Sequence, residues 1–383
     1  MRTLLPRLAA SVLALAACAD QAPLAPTTPD ATARTTSLPV SAPWARAVTG
    51  ETGPGSLYAI YVPDDWNGDV VYFVHGILPP SAPVTLPDDP TDWDGFTTVR
   101  DQLGALGFAV AYSSFSQNGF AIKDAAQRTH QLRGLVASTL HGQPDRSFLV
   151  GYSLGAAAAL RLVEQFPVQY DGALLACGMV GGTPLELQYV GHVRALFDFF
   201  YPGVLPGDVV NVPEGAALTP QLQAQVLAAI AANPAGLFAI ASTVQTPLAY
   251  APVGSLADPS SPAFTTLVQS LLTALGYQLV GTNDVMDHTH GHSPFDNSET
   301  TYAVGTVVGP LPAPLVTQLV AAANAGVVRY TMPPDARNAL EHYYVPTGEL
   351  EIPVVTVHNL WDPLVPFFHE TAFQQVVQEA GAA

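Results

Sequence analysis

Nothing in the chain limits its fold more than the stretch from Ser147 to Gln165. Ser147-Phe148-Leu149-Val150 reads as a short apolar strand, and Leu154 to Gln165 as an Ala- and Leu-rich helix that Pro167 halts. Only Gly151-Tyr152-Ser153 separates them. A strand that becomes a helix across so few residues must bend sharply, and small residues on either side of the bend let strand and helix approach closely. The apex of that bend is Ser153, within the pattern Gly-x-Ser-x-Gly formed by Gly151-Tyr152-Ser153-Leu154-Gly155. Gly and Ser are common, so the five residues alone say little. The strand before them and the helix after them supply the context that the pattern requires.

The same alternation runs through much of the chain. Leu57 to Val62 and Asp69 to Val74 read as strands, Asp101 to Leu106 as a helix, and Phe108 to Tyr112 as a strand. Ala121 to Leu140 is a long helix that carries the only lysine, Lys123, and Ala173 to Cys177 is the next strand. Continuously apolar strands alternating with helices predict an α/β fold: a mostly parallel sheet with helices on both faces. From Gly181 to Glu349 the alternation lapses. Helical pieces at Leu187 to Phe200, Thr219 to Ala232, Ala263 to Leu275 and Pro314 to Ala325 are separated by Pro- and Gly-rich turns. Ile352 to Val357 then returns as a strand, followed by a helix from His369 to Glu379. The organisation expected is a discontinuous core, residues 44–180 and 350–383, with a large, mainly helical cap, residues 181–349, over the carboxyl edge of the sheet.

The N-terminus has the layout of an export signal. Arg2 and Arg7 precede an apolar run from Leu8 to Ala17 that is too short to span a bilayer. Leu15-Ala16-Ala17-Cys18 resembles a bacterial lipoprotein processing box, which makes Cys18 the expected lipidated residue and residues 1–18 the signal; a plain secretory signal is the alternative. Residues 19–43, rich in Pro, Thr and Ala without period, read as a tether. The chain is then expected to be lipid-anchored in a bacterial cell envelope, or periplasmic or extracellular, with membrane contact only through the anchor. Cys177 is left as a lone cysteine, with no internal disulfide expected. Charged residues make up 11% of the chain and the formal net charge is -18, which excludes the basic surface that a nucleic-acid binder needs.

Two further segments carry chemistry. Val74-His75-Gly76-Ile77 ends an apolar strand, and its glycine permits a tight turn. The Ile77 and Leu154 N–H groups are the expected donors to a developing oxyanion, with His75 and Gly76 supporting the loop. In His358-Asn359-Leu360-Trp361-Asp362-Pro363-Leu364-Val365-Pro366, Asp362 stands just past a strand's carboxyl end, where an acid can orient an imidazole.

Over residues 55 to 180 and 350 to 383 the chain resembles the α/β-hydrolase superfamily, above all bacterial secreted esterases and peptidase-like hydrolases with long caps. The resemblance rests on His75-Gly76, the Gly151 to Gly155 bend, and Asp362 with Val365-Pro366 behind it. It implies acyl transfer through an acyl-Ser153 intermediate and hydrolysis by water, without a cofactor or metal, on a small-molecule or oligomeric ester. In that family the catalytic histidine follows a further strand beyond the acid. The chain ends at Ala383, so the base is expected beyond it. His369, the only histidine after Asp362, and the cap residues His288, His290 and His292 are the alternatives.

Asp287-His288-Thr289-His290-Gly291-His292, if extended, puts its imidazoles on one side and could bind zinc, although a polar loop at the cap mouth explains it as well. Phe295-Asp296-Asn297 through Tyr302 is similar to a pocket-closing cap segment, or is an Asx turn. Phe197, Phe199, Phe200 and Tyr201 line a pocket or form the cap core, with spacing in favour of core. Two other functions compete with the esterase. One is a serine exopeptidase, for which Glu341, Glu349 and Glu351 are the available terminus-gripping acids; the other is a binding protein that kept the fold and lost its base.

Overall fold

The structure is a computed structural model that describes residues 44–87 and 95–382. The signal, Cys18 and the tether, residues 19–43, lie outside these residues. Seven strands form one sheet: β1 (Trp44–Gly53), β2 (Ser56–Pro63), β3 (Asp69–Val74), β4 (Ala109–Ser113), β5 (Arg146–Tyr152), β6 (Gly172–Ala176) and β7 (Val354–Val357). Their order is β1-β2-β4-β3-β5-β6-β7. β4, β3, β5, β6 and β7 run parallel, whereas β1 and β2 are antiparallel to their neighbours. This is the mostly parallel sheet expected of an α/β-hydrolase fold.

Every residue of β3 is buried, as a central parallel strand requires when both faces are covered. Helices α1 (Phe96–Ala105), α2 (Ile122–Leu140), α3 (Leu154–Gln165) and α10 (Phe368–Ala380) accompany the sheet. One face packs Val70, Tyr72 and Val74 with α2 and α3 side chains. The other packs Val71 and Phe73 with Phe96, Val99 and Leu103 of α1. The alternation of neighbouring strand residues between these two clusters is the period-2 geometry of a pleated strand.

Between β6 and β7 lie α4 (Thr183–Phe200), α5 (Pro220–Ala232), α6 (Pro234–Ala241), α7 (Pro262–His288), α8 (Ala313–Gly326) and α9 (Pro334–Tyr343). Most of them share a separate apolar core that includes Val193, Phe197, Leu237, Leu271 and Val316. The cap does not detach cleanly at the expected boundaries. Leu187 at the start of α4, and Ala336, Leu340 and Tyr343 of α9, pack in the sheet core.

Sequence patterning missed β1, an edge strand of mixed polarity, and the short helices α6 and α9. It also ended α7 too soon, at Leu275. Gly276, Gly281 and Asn283 weaken helix propensity there, but Tyr277, Gln278, Leu279 and Val285 continue the buried face, and tertiary packing carries the helix on to His288. α7 is long and apolar enough to cross a membrane by composition, yet much of its surface is buried against the rest of the cap.

Candidate active site

Ser153 has φ 53° and ψ −121°, a backbone conformation that a residue with a Cβ adopts only at a cost of about 1–3 kcal/mol. The neighbouring glycines explain how the bend is accommodated. A Cβ on Gly151 would lie 2.6 Å from the Ala156 Cα, and one on Gly155 would run into the carbonyl oxygens of Val74 and His75. Helix α3 is thereby drawn against the end of β3, beside the loop His75–Ile77. Among the described residues neither the Ile77 nor the Leu154 N–H has a backbone acceptor.

His75 is buried between the rings of Phe115, at 3.8 Å, and Tyr112, at 5.4 Å, and its Nδ1–H donates to the Gly76 carbonyl at 2.7 Å. Burial pushes its pKa down to about 4, against the raising effect of hydrogen bonds to the Gly76 and Ser114 carbonyls. It is a neutral wedge within the loop.

The carboxyl ends of β3, β5, β6 and β7 share one edge. Ser153 N–H donates to the Ala176 carbonyl at 2.9 Å, and Cys177 N–H to that of Val357 at 2.8 Å. The bend and the acid loop are therefore two strands apart, about 10 Å by strand spacing. Asp362 is 4% exposed. Its Oδ1 accepts the N–H groups of Leu364 and Val365 at 2.9 and 3.0 Å. Its Oδ2 lies 3.8 Å from His358 Nε2. Burial raises the Asp362 pKa, opposed by the Val365 and Leu364 amides and by the charge of His358.

Ser153 is at the apex of the bend yet only 5% exposed. Ile77 after β3, Leu364 of the acid loop and Phe368 at the start of α10 pack against the apolar core of the cap, which therefore lies against this edge of the sheet. Among the described residues the Ser153 hydroxyl makes no hydrogen bond to another side chain or to the backbone.

His369 lies on α10 as expected, but both its ring nitrogens are occupied. Nδ1 accepts the Gly181 N–H at 3.2 Å, and Nε2–H donates to Glu186 Oε2 at 3.0 Å. Burial, with the charge of His358, lowers its pKa to about 3. It is a neutral pin between core and cap, and the assignment as base is corrected on that ground. Glu186, on α4, has a pKa raised well above the usual range by burial and then by the charge of Asp362, and its Oε1 has no partner.

The histidine run is not extended. His288 ends α7 and the next residues turn, so its imidazoles do not alternate along a strand; His292 lies 3.5 Å from Asp335. Among the described residues no group of three His, Cys, Asp or Glu side chains is placed to hold a metal ion. Asp296 closes an Asx turn through the Ser298 N–H at 3.0 Å, and buried Asn297 binds Tyr302, Val328 and Tyr330. Phe197 and Tyr201 are buried in the cap core, whereas Phe199 and Phe200 pack partly buried against it. Glu341, Glu349 and Glu351 are exposed. Cys177, expected as a lone thiol, is disulfide-bonded.

Two residues at this edge escaped sequence reasoning. Glu186 carries no motif, because an acid inside an apolar helix is visible only once the helix is packed. His358 stands in the acid-loop string, four residues before Asp362, and the i, i+4 spacing was its one signal.

No family profile matches the chain, and no curated protein matches it. Solved structures similar to it include feruloyl esterase B from Aspergillus oryzae, at 16% identity and TM-score 0.42, over 88% of this chain and 70% of that one. Another esterase from Aspergillus oryzae aligns at 14% identity and TM-score 0.41, over 88% of this chain and 68% of that one. An acylaminoacyl peptidase aligns at 10% identity and TM-score 0.37, over 88% of this chain and 35% of that one. The chain thus spans about two thirds of the esterases and about one third of the peptidase.

Proposed function

We propose that this protein is a serine hydrolase of carboxylic esters. Ser153 is the nucleophile, the Ile77 and Leu154 N–H groups receive the oxyanion, and Asp362 orients the base. The observation that carries the reading is the strained backbone of Ser153 at the head of α3, on the same sheet edge as a buried carboxylate. Strain of this kind persists where the surroundings over-determine it, and it concentrates at reactive sites.

In this reading the Ser153 oxygen attacks the ester carbonyl while a base takes its proton. The carbonyl oxygen, now negative, lies against two preorganised N–H groups, and the alcohol departs with a proton. Water then releases the acyl group. The acid presents Oδ2 to the base, because Oδ1 is taken by its own loop.

The exposure of Glu341, Glu349 and Glu351 gives no support to the exopeptidase alternative, in which a fixed, enclosed acid holds a peptide terminus. Export is proposed with the activity, supported by the layout of the N-terminus, with its apolar run from Leu8 to Ala17 closed by Cys18.

A fluorophosphonate probe tests the reading. Labelling of the wild type but not of Ser153→Ala is the expected result, together with turnover of p-nitrophenyl esters and none of aminoacyl anilides. A folded wild type that stays unlabelled would mark a binding protein instead.

A further inference from the structure

His358 is the first residue after β7, and its side chain is 1% exposed. Nε2 lies 2.7 Å from the Val365 carbonyl oxygen, and Nδ1 lies 3.0 Å from Glu370 Oε1 on α10. A carbonyl and a carboxylate both only accept, so both ring nitrogens carry protons and the ring is an imidazolium. The same Val365 residue whose carbonyl takes His358 gives its N–H to Asp362 Oδ1 at 3.0 Å. One peptide unit on each side of Val365 is thus gripped by the two side chains, and the loop from 358 to 365 is closed on itself. Oδ2 of Asp362, the oxygen left over, faces the imidazolium at 3.8 Å.

We propose that His358, held as a cation by Glu370, is a positioning residue that fixes the acid loop and keeps Asp362 anionic beneath the cap. The proposal rests on the serine hydrolase reading of the same edge. An isolated carboxylate at this depth favours its proton, and a fixed positive charge nearby opposes that.

The charged and titratable groups around the ring come from three elements. Asp362 is on its own loop, Glu370 and His369 are on α10, and Glu186 reaches Asp362 from α4. His369 is neutral, so it adds no competing cation. Burial by itself would lower the His358 pKa, but the hydrogen bonds to Glu370 and Val365 and the charges of Asp362 and Glu370 raise it overall. The cation is therefore lost only as the pH climbs past the ordinary histidine range.

The test uses the full-length protein with Glu370→Gln and His358→Gln. In Ser153→Ala protein, nitrogen-15 NMR of the imidazoles is expected to show His358 protonated at both nitrogens at pH 7. Its midpoint should move to lower pH in Glu370→Gln, a variant that leaves the ring in place. Fluorophosphonate labelling of Ser153 is expected to slow up to about 100-fold in His358→Gln at pH 7. In Glu370→Gln its alkaline limb should shift to lower pH, with Glu370→Asp restoring it. A neutral His358 at pH 7, or wild-type labelling and an unmoved limb in both variants, overturns the proposal. A wild type that never labels overturns the hydrolase reading itself, and the NMR result separates that outcome from failure of the clamp.

Discussion

Gly155 of α3 lies directly against the Val74 carbonyl at the end of β3, with no space for a methyl group between them. That approach sets the head of α3 beside the His75–Ile77 loop and so brings the two proposed oxyanion donors together. Gly155→Ala must push the helix from the strand. It is expected to lower unfolding free energy by about 1–3 kcal/mol and to abolish probe labelling, read by urea denaturation and gel fluorescence.

Ser153 pays in stability for its backbone conformation. Ser153→Gly removes the Cβ at φ 53°. It is expected to raise unfolding free energy by about 1–2 kcal/mol while eliminating labelling. Equal or lower stability would show that the bend is not strained.

Asp362→Asn keeps an oxygen for the Leu364 and Val365 amides and removes the charge. The fold should survive, with circular dichroism unchanged. Ester turnover should fall about 10³- to 10⁴-fold, as when an orienting acid is neutralised. A loss below tenfold would remove Asp362 from the mechanism.

Acid should unfold this protein through its buried neutral histidines. His75 and His192 sit at about 4 and His369 at about 3, each lowered first by burial from an unfolded value near 6.5. The unfolded chain binds more protons between those limits, so the stability these three histidines contribute is full above pH 6.5 and falls as the pH drops towards 3. His192→Phe should flatten the upper part of that decline, measured as thermal midpoint against pH.

Glu186 titrates in the opposite sense. Burial, then Asp362, raises its folded pKa, so the folded state holds a proton that the unfolded state gives up above about 4.5. Stability contributed by this group falls as the pH rises through that interval. Glu186→Gln, which resembles the protonated acid, is therefore expected to gain on the wild type as pH increases. The gain should be about 1.4 kcal/mol for each unit by which the folded value is raised, and it should level off above that value. A constant difference across pH would contradict the raised value.

Elements whose patterning is local were legible. α3 spans Leu154–Gln165 as expected, because a strand end, a glycine-flanked bend and a proline stop are all written within a few residues. The strands β2, β3, β5 and β6 fall within a residue or two of their apolar runs. β1 carries no clear period and is held by pairing with β2; α9 does repeat, with Ala336, Leu340 and Tyr343 at i, i+4 and i+7, but ten residues hold only that one short stripe, and its packing in the sheet core is what marks it as a helix.

The site divides in the same way. Ser153, Asp362 and the His75–Ile77 loop stand at strand ends, and strand ends can be read from hydrophobic patterning. Their convergence on one edge follows from parallel pairing, which the alternation of strands and helices already implies. What the histidines do could not be read, because a ring nitrogen's role is set by the group it meets. His369 meets Glu186 from 183 residues away, and His358 meets Glu370 from the next helix. The burial of Ser153 likewise depends on where the cap lands. The sequence by itself determined the α/β core and the bend at Ser153, because backbone geometry and apolar periodicity are local properties. Only the tertiary structure decided which imidazoles are occupied, which carboxyls keep a proton and how deeply the serine lies, because burial and long-range hydrogen bonds exist only after distant segments pack.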